Sequence, residues 1–119
     1  MMEDVTDVVP VRRMSVARGT VHCTKVPTER ELGAAAAAAN LAAKDTSRII
    51  WHAVPAHPTH IDCDLDVKDY KVVVTMTVQA FARTTLSTYA LAGCAAALVS
   101  LAGDAGRIEE LSIVQNVEG

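Results

Sequence analysis

Residues 60–83 read HIDCDLDVKDYKVVVTMTVQAFAR, and this stretch decides the fold. Ile61, Cys63, Leu65 and Val67 alternate with His60, Asp62, Asp64 and Asp66 in its first half. In its second half Val72, Val74, Met76, Val78, Ala80 and Ala82 alternate with Lys71, Val73, Thr75, Thr77, Gln79 and Phe81. Successive side chains of a strand point to opposite sides of a sheet, so period-two alternation marks two strands with one buried face. Only Lys68, Asp69 and Tyr70 separate the runs, which makes them a hairpin; the turn lacks Gly, so its type is not assigned.

Working outward, residues 14–23 (MSVARGTVHC) alternate in the same way and predict a first strand. Ala17, Gly19, Val21 and Cys23 lie on one side of it, with Gly19 marking a bulge or a close backbone approach. Thr28 and Glu31 have the Thr-x-x-Glu spacing of a capping box, in which each side chain satisfies a free backbone donor of the other. The helix they open runs through six consecutive Ala, 34–39, to about Lys44. Alanine has high helix propensity and little transfer energy, so this helix must be held by close packing and not by large anchors.

Asp45, Thr46 and Ser47 end that helix and open a short further turn through Arg48 and Ile50. Residues 51–58 (WHAVPAHP) carry two prolines and predict an irregular segment leading into the hairpin. Beyond the hairpin, Thr84 or Thr85 caps a second long helix over 86–102, stopped by Gly103. Residues 107–114 (RIEELSIV) form the last strand, with imperfect alternation. Residues 1–13, with mixed charges and Pro10, are expected as an N-terminal arm.

The order strand, helix, strand, strand, helix, strand, with right-handed crossovers, is an α+β, ferredoxin-like βαββαβ arrangement. It has a four-stranded antiparallel sheet with two helices on one face. The 119 residues form a single domain spanning 1–119. Half the residues are apolar but only four are aromatic, so the core is built from Val, Ile, Leu and Ala. An uncovered sheet face together with Ala-rich helices predicts self-association around a symmetry axis.

The formal charge of -3, with both signs mixed along the chain, offers no basic stripe for phosphates and argues against a nucleic-acid partner. The apolar run 89–102 is broken by Gly93 and Ser100 and falls short of the roughly 18–20 residues of a membrane span, so no membrane is expected. Cys23, Cys63 and Cys94 are scattered and odd in number, which suits small core residues in a reducing, cytoplasmic setting. No basic-then-apolar leader is seen, and an unprocessed soluble chain is expected.

Two constellations are candidates for chemistry. His52, His57 and His60 lie near Cys63 and near Asp62, Asp64 and Asp66, but the carboxylates recur at about 6.6 Å along one strand face, too far apart to close on one small ion. No metal is assigned there. Arg18, Lys44 and Arg83 are cations at element ends, where a cleft can hold phosphate. No Gly-rich phosphate loop and no nucleophile–base spacing stands out.

The chain resembles the cyclic pyranopterin monophosphate synthase family, the MoaC proteins of molybdenum cofactor biosynthesis. The matching stretches are Asp4-Val5-Thr6 followed by Arg13, Ala17, Gly19 and Val21; Ala42-Ala43-Lys44 with Thr46; Ile49-Ile50 before the proline-rich segment; the hairpin; and Arg83-Thr84 with Ala90-Leu91. The resemblance covers nearly the whole chain. It implies a ferredoxin-like protomer in a hexamer of dimers, with pockets between subunits. In those pockets a GTP-derived cyclic precursor, a purine- or pterin-type nucleotide, becomes cyclic pyranopterin monophosphate without a cofactor.

By the same resemblance Lys25, His57 and Asp4 are the candidate catalytic residues, and Lys44, Arg83 and Thr84 the candidate substrate-binding residues. Departures from the family pattern are concentrated in its acid–base positions. Its Lys-Gly-Asp matches Thr28-Glu29-Arg30, leaving Lys25 as the stand-in, and its two glutamates match Ser87 and Tyr89. Its Cys-His-Pro matches Ala53-Val54-Pro55 without a gap or Ala56-His57-Pro58 with one. Its late lysine falls within 101–105, which contains none, and its closing Lys-Ser-Gly-Gly matches residues 116–119. Two functions are therefore expected: a divergent lyase of the pathway, or a catalytically inactive homologue serving as an oligomeric ligand-binding or partner subunit.

Overall fold

A computed structural model describes residues 9–50, 53 and 55–119. Asp4 and the rest of the expected arm over 1–8, together with Trp51, His52 and Val54, lie outside the described residues. The elements are β1 (Val11–His22), α1 (Glu29–Lys44), the short α2 (Thr46–Ile49), β2 (His60–Lys68), β3 (Lys71–Ala82), α3 (Ser87–Ala102) and β4 (Arg107–Glu118). All strand pairs are antiparallel and the sheet order is β2-β3-β1-β4, the ferredoxin-like order.

The hairpin pairs His60 with Gln79 through to Lys68 with Lys71, leaving a two-residue loop, Asp69-Tyr70. Asp69 has φ of 56°, the left-handed region that short polar side chains tolerate by local hydrogen bonding, so the turn closes without glycine. The alternation holds residue by residue along β3. Val72, Val74, Met76 and Val78 are fully buried and Ala80 and Ala82 nearly so, while their odd-numbered neighbours face away from the helices. On β2, Ile61, Cys63, Leu65 and Val67 are only half-buried, because β2 is an edge strand.

Strand β1 differs from the sequence expectation at its start. Val11, Arg12 and Arg13 are strand and not arm, because β3 is long enough to pair them with Ala82, Phe81 and Ala80. Strand β4 runs on to Glu118, past the expected end at Val114, for the same reason: Met14 and Arg13 offer partners to Val117 and Glu118. Its imperfect alternation also has a cause. The register with β1 shifts between Val16 and Ala17 and between Thr20 and Val21, leaving Val114 and Glu109 as extra residues, and each such bulge resets which face the next side chain takes.

Helix α1 begins as its spacing dictates. Thr28 Oγ1 accepts the Glu31 N–H at 3.1 Å, and the Thr28 N–H donates to Glu31 Oε1 at 3.1 Å. Ala35, Ala39 and Ala43 recur every fourth residue and form its buried stripe. Against them lies α3, which buries Tyr89, Ala90, Gly93, Cys94, Ala97 and Leu98. A Cβ on Gly93 would stand 3.1 Å from the Ala39 carbonyl oxygen and 3.2 Å from Ala43 Cβ, so the helices touch backbone to backbone. Such closeness gives small side chains the dispersion contacts that their size would otherwise deny them.

Gly19 of β1 is a close approach of the same kind: a Cβ there would collide with Leu98 of α3 and stand 2.8 Å from the Glu110 carbonyl oxygen. The expected Thr84 or Thr85 cap on α3 is not formed. Leu86 takes the N-cap position without a side-chain cap, and its N–H is satisfied by Ser15 Oγ at 3.1 Å from β1. At the other end Gly103, with φ of 58°, stops the helix as expected. Among the described residues no helix is long and apolar enough to cross a membrane.

Candidate functional site

The molecule is 49 Å long and its two ends are chemically different. Strand β1 carries twelve residues, so at 3.3 Å per residue it separates the ends by about 36 Å. At one end β1 begins, β3 finishes, α1 ends and α3 starts. At the other, β1 hands over to the loop before α1, beside the hairpin turn, where the Cys23 N–H donates to the Tyr70 carbonyl at 2.7 Å.

The first end holds a cleft of about 360 Å³ lined by Pro10, Pro55, His57, Thr59, Phe81 and Arg83 among others. His57 is exposed on the proline-rich segment, which two anchors hold in place. The Ala56 N–H donates to the hydroxyl of buried Tyr89 at 2.8 Å, and the Thr59 N–H donates to the Gln79 carbonyl at 2.8 Å. Arg83 follows the last residue of β3, whose exit is fixed by Arg13. The Arg13 Nε donates to the Ala82 carbonyl at 3.1 Å and its Nη2 to the Arg83 carbonyl at 3.5 Å, while Nη1 pairs with Glu118 at 3.3 Å.

Next to this cleft Asn116 collects hydroxyls. Its Oδ1 accepts from Ser15 Oγ and, at 3.2 Å, from Ser87 Oγ, which also bonds Thr85 Oγ1 at 3.2 Å. Ser15 is wholly buried, so this network ties β1, β4 and the first residue of α3 together beneath a surface hollow lined by Arg13, Thr85 and Glu118. Thr84 is half-buried, and its hydroxyl donates to the Thr85 carbonyl at 3.5 Å. Lys44, the last residue of α1, is exposed at the same end of the fold.

Lys25 lies at the opposite end, its side chain 72% exposed and 4.0 Å from Glu31. The Thr28 backbone N–H, then the Thr28 hydroxyl, then Lys25 hold the Glu31 carboxyl below its usual range. Lys25 therefore serves as a counter-ion to a capping carboxylate. A shallow cavity there is lined by Cys23, Lys25, Glu31 and residues 100–105 at the end of α3.

Of the residues singled out from sequence, His57, Arg83, Thr84 and Lys44 thus share one end, Lys25 does not join them, and Arg18 is an exposed residue inside β1 and not at an element end. Asp4 lies outside the described residues. The His–Cys–Asp constellation is divided by the sheet: Asp62, Asp64 and Asp66 are exposed on the uncovered face, whereas Cys63 points towards the helices. Among the described residues no three His, Cys, Asp or Glu side chains gather as metal ligands. Burial pushes the Cys63 thiol up to about 11, helped by Asp62 and Asp64, and the Cys94 thiol up to about 12. Both stay protonated near neutral pH and are poor nucleophiles.

No protein-family model and no curated protein matches the chain. Thr59, Phe81, Arg13 and Asn116 were not among the site residues expected from sequence. Phe81 was legible as an outward residue of the alternating strand, but nothing local in sequence shows that residues 55–59 fold back beside it.

Proposed function

We propose that the chain is a divergent, MoaC-like protein of molybdenum cofactor biosynthesis. In this role it holds a phosphorylated purine or pterin ligand at the His57–Arg83 cleft without carrying out the synthase rearrangement. The observation that carries it is the division of the candidate residues: His57 and Arg83 line one cleft, and Lys25 lines another beyond the far end of β1, a strand about 36 Å long. An imidazole and a guanidinium can hold a phosphate. With no lysine or carboxylate among its described lining residues, the cleft lacks the paired acid and base that a ring rearrangement needs.

The two positions that match the family's glutamates support the same reading. Ser87 is spent on Asn116 and Thr85, and Tyr89 is spent on pinning Ala56. Each therefore helps to hold the shape of that end of the fold.

A second reading, a divergent lyase, is favoured by the exposure of Lys25. In an assembly built on dimers, such as a hexamer, another copy's Lys25 end can close over the cleft and supply the missing base. The uncovered sheet face and the exposed Ile108, Leu111, Val114 and Val117 of edge strand β4 support such an assembly. Sedimentation showing a single-chain species at micromolar concentration would contradict it.

A coupled assay with the GTP-derived cyclic precursor separates the two. The assembled protein is expected to give no cyclic pyranopterin monophosphate at a rate comparable with the family, since each lost acid–base group removes about 10²- to 10⁴-fold. Robust turnover that vanishes in Lys25→Ala and survives in Lys68→Ala would establish the lyase instead.

A further inference from the structure

We propose that Phe81 is the platform on which the ring of a flat heteroaromatic phosphate ester lies, so that the cleft selects a nucleotide-like ligand over a plain sugar phosphate. This rests on the reading of the His57–Arg83 cleft as a phosphate-holding site and names the residue that reads the rest of the ligand.

Phe81 is the chain's one phenylalanine and is 61% exposed, although it sits between Ala80 and Ala82, which are buried under the helices. The alternation of β3 puts its ring on the opposite side of the sheet, where it forms a wall of the cleft with Pro55 and Pro10. Its cross-strand partner is Arg12, whose guanidinium carbon lies 5.5 Å from the ring centroid. At that distance the cation is attracted to the ring's electron-rich face. The side chain is mostly exposed, and His57 and Arg83 line the same cleft.

Isolated exposed apolar residues are ordinary on a protein surface and need no function. Phe81 is set apart because it shares a cleft with groups suited to an anion. The roughly 360 Å³ of that cleft falls within the size range of small-molecule sites, mostly apolar with a few polar groups. An aromatic face next to phosphate-binding groups is the combination that recognises nucleotides, since every base offers a π-face for stacking whatever its hydrogen-bonding edge. A sugar phosphate offers only its anion and hydroxyls.

Titration calorimetry on the full chain tests this with two probes, guanosine monophosphate and ribose 5-phosphate, on the wild type, Phe81→Leu and Arg83→Ala. Phe81→Leu keeps the apolar bulk and removes the ring, and circular dichroism checks that each variant is folded. Wild type is expected to bind the nucleotide about tenfold more tightly than the sugar phosphate. Phe81→Leu should bring the nucleotide down to the affinity of the sugar phosphate and leave the latter unchanged, while Arg83→Ala weakens both. An upfield ring-current shift of the guanine H8 proton on binding, lost in Phe81→Leu, gives an independent readout. Equal affinity of the nucleotide for wild type and Phe81→Leu, with ribose 5-phosphate still bound, would overturn the platform and leave the phosphate site standing. Binding of neither probe at millimolar concentration would overturn both.

Discussion

The two ends of the sheet are built from the same elements and spend their polar groups in opposite ways. At the Arg83 end Arg13 bonds the Ala82 and Arg83 carbonyls, Ser15 the Leu86 N–H and Tyr89 the Ala56 N–H, while Asn116 joins the Ser15 and Ser87 hydroxyls, so segments far apart in sequence are tied together at the end whose cleft His57 lines. At the Lys25 end the charged groups pair with one another: Glu31 caps α1 with Thr28, Lys25 pairs with Glu31, and Glu109 of β4 sits 2.9 Å from His22 of β1 and 3.0 Å from Arg107. A lysine whose neighbour is a capping carboxylate stabilises a helix start. At the other end His57 and Arg83 line one cleft. Position along β1, more than residue type, therefore separates the two roles.

The largest effect should come from cutting the strut that holds the ends apart. Val74, the fourth residue of β3, is fully buried, and its carbonyl oxygen lies 3.8 Å from Cys94 Sγ of α3. Val74→Asp would place an unpaired charge there and is expected to cost more than ~4 kcal/mol, enough to abolish the cooperative melt of a domain with an ordinary margin of stability. An unchanged melting temperature would show that the face assignment of the hairpin is wrong.

Smaller changes should act on one end at a time. Asn116→Ala removes the acceptor shared by the Ser15 and Ser87 hydroxyls, and Ser15 is wholly buried, so a loss of about 1–3 kcal/mol is expected in chemical denaturation. Because that network lies at the same end of the fold as the cleft, phosphate binding should weaken as well. Thr28→Ala breaks the capping box of α1 at the other end and should cost about 1 kcal/mol with no change in binding, since its partners are all local. If both variants altered binding equally, the ends would not be independent.

Much of the fold was legible because its signals are local. Alternation over residues 60–83 set the hairpin and its buried face, Thr28 and Glu31 set the start of α1, and Gly103 set the end of α3. The misses came from contacts between distant segments. The start of α3 depends on Ser15, seventy-one residues earlier, so no nearby Thr could reveal it. The phase of β4 depends on two bulges against β1, and the true extent of β1 on the length of β3. The candidate site was half legible for the same reason. His57, Arg83, Thr84 and Lys44 stand where chain order places them, at one end, whereas Lys25 looked equivalent in sequence and is separated by the length of a strand.

The most direct test of the central claim, that the ligand is held at the Arg83 end, compares guanosine monophosphate binding to wild type, Arg83→Ala, His57→Ala and Lys25→Ala by calorimetry at fixed low salt. Removing a charge-assisted hydrogen bond should weaken binding about tenfold or more in Arg83→Ala, and His57→Ala should weaken it too, while Lys25→Ala binds as wild type does. A loss in Lys25→Ala as large as that in Arg83→Ala, or wild-type binding retained in Arg83→Ala, would contradict the account.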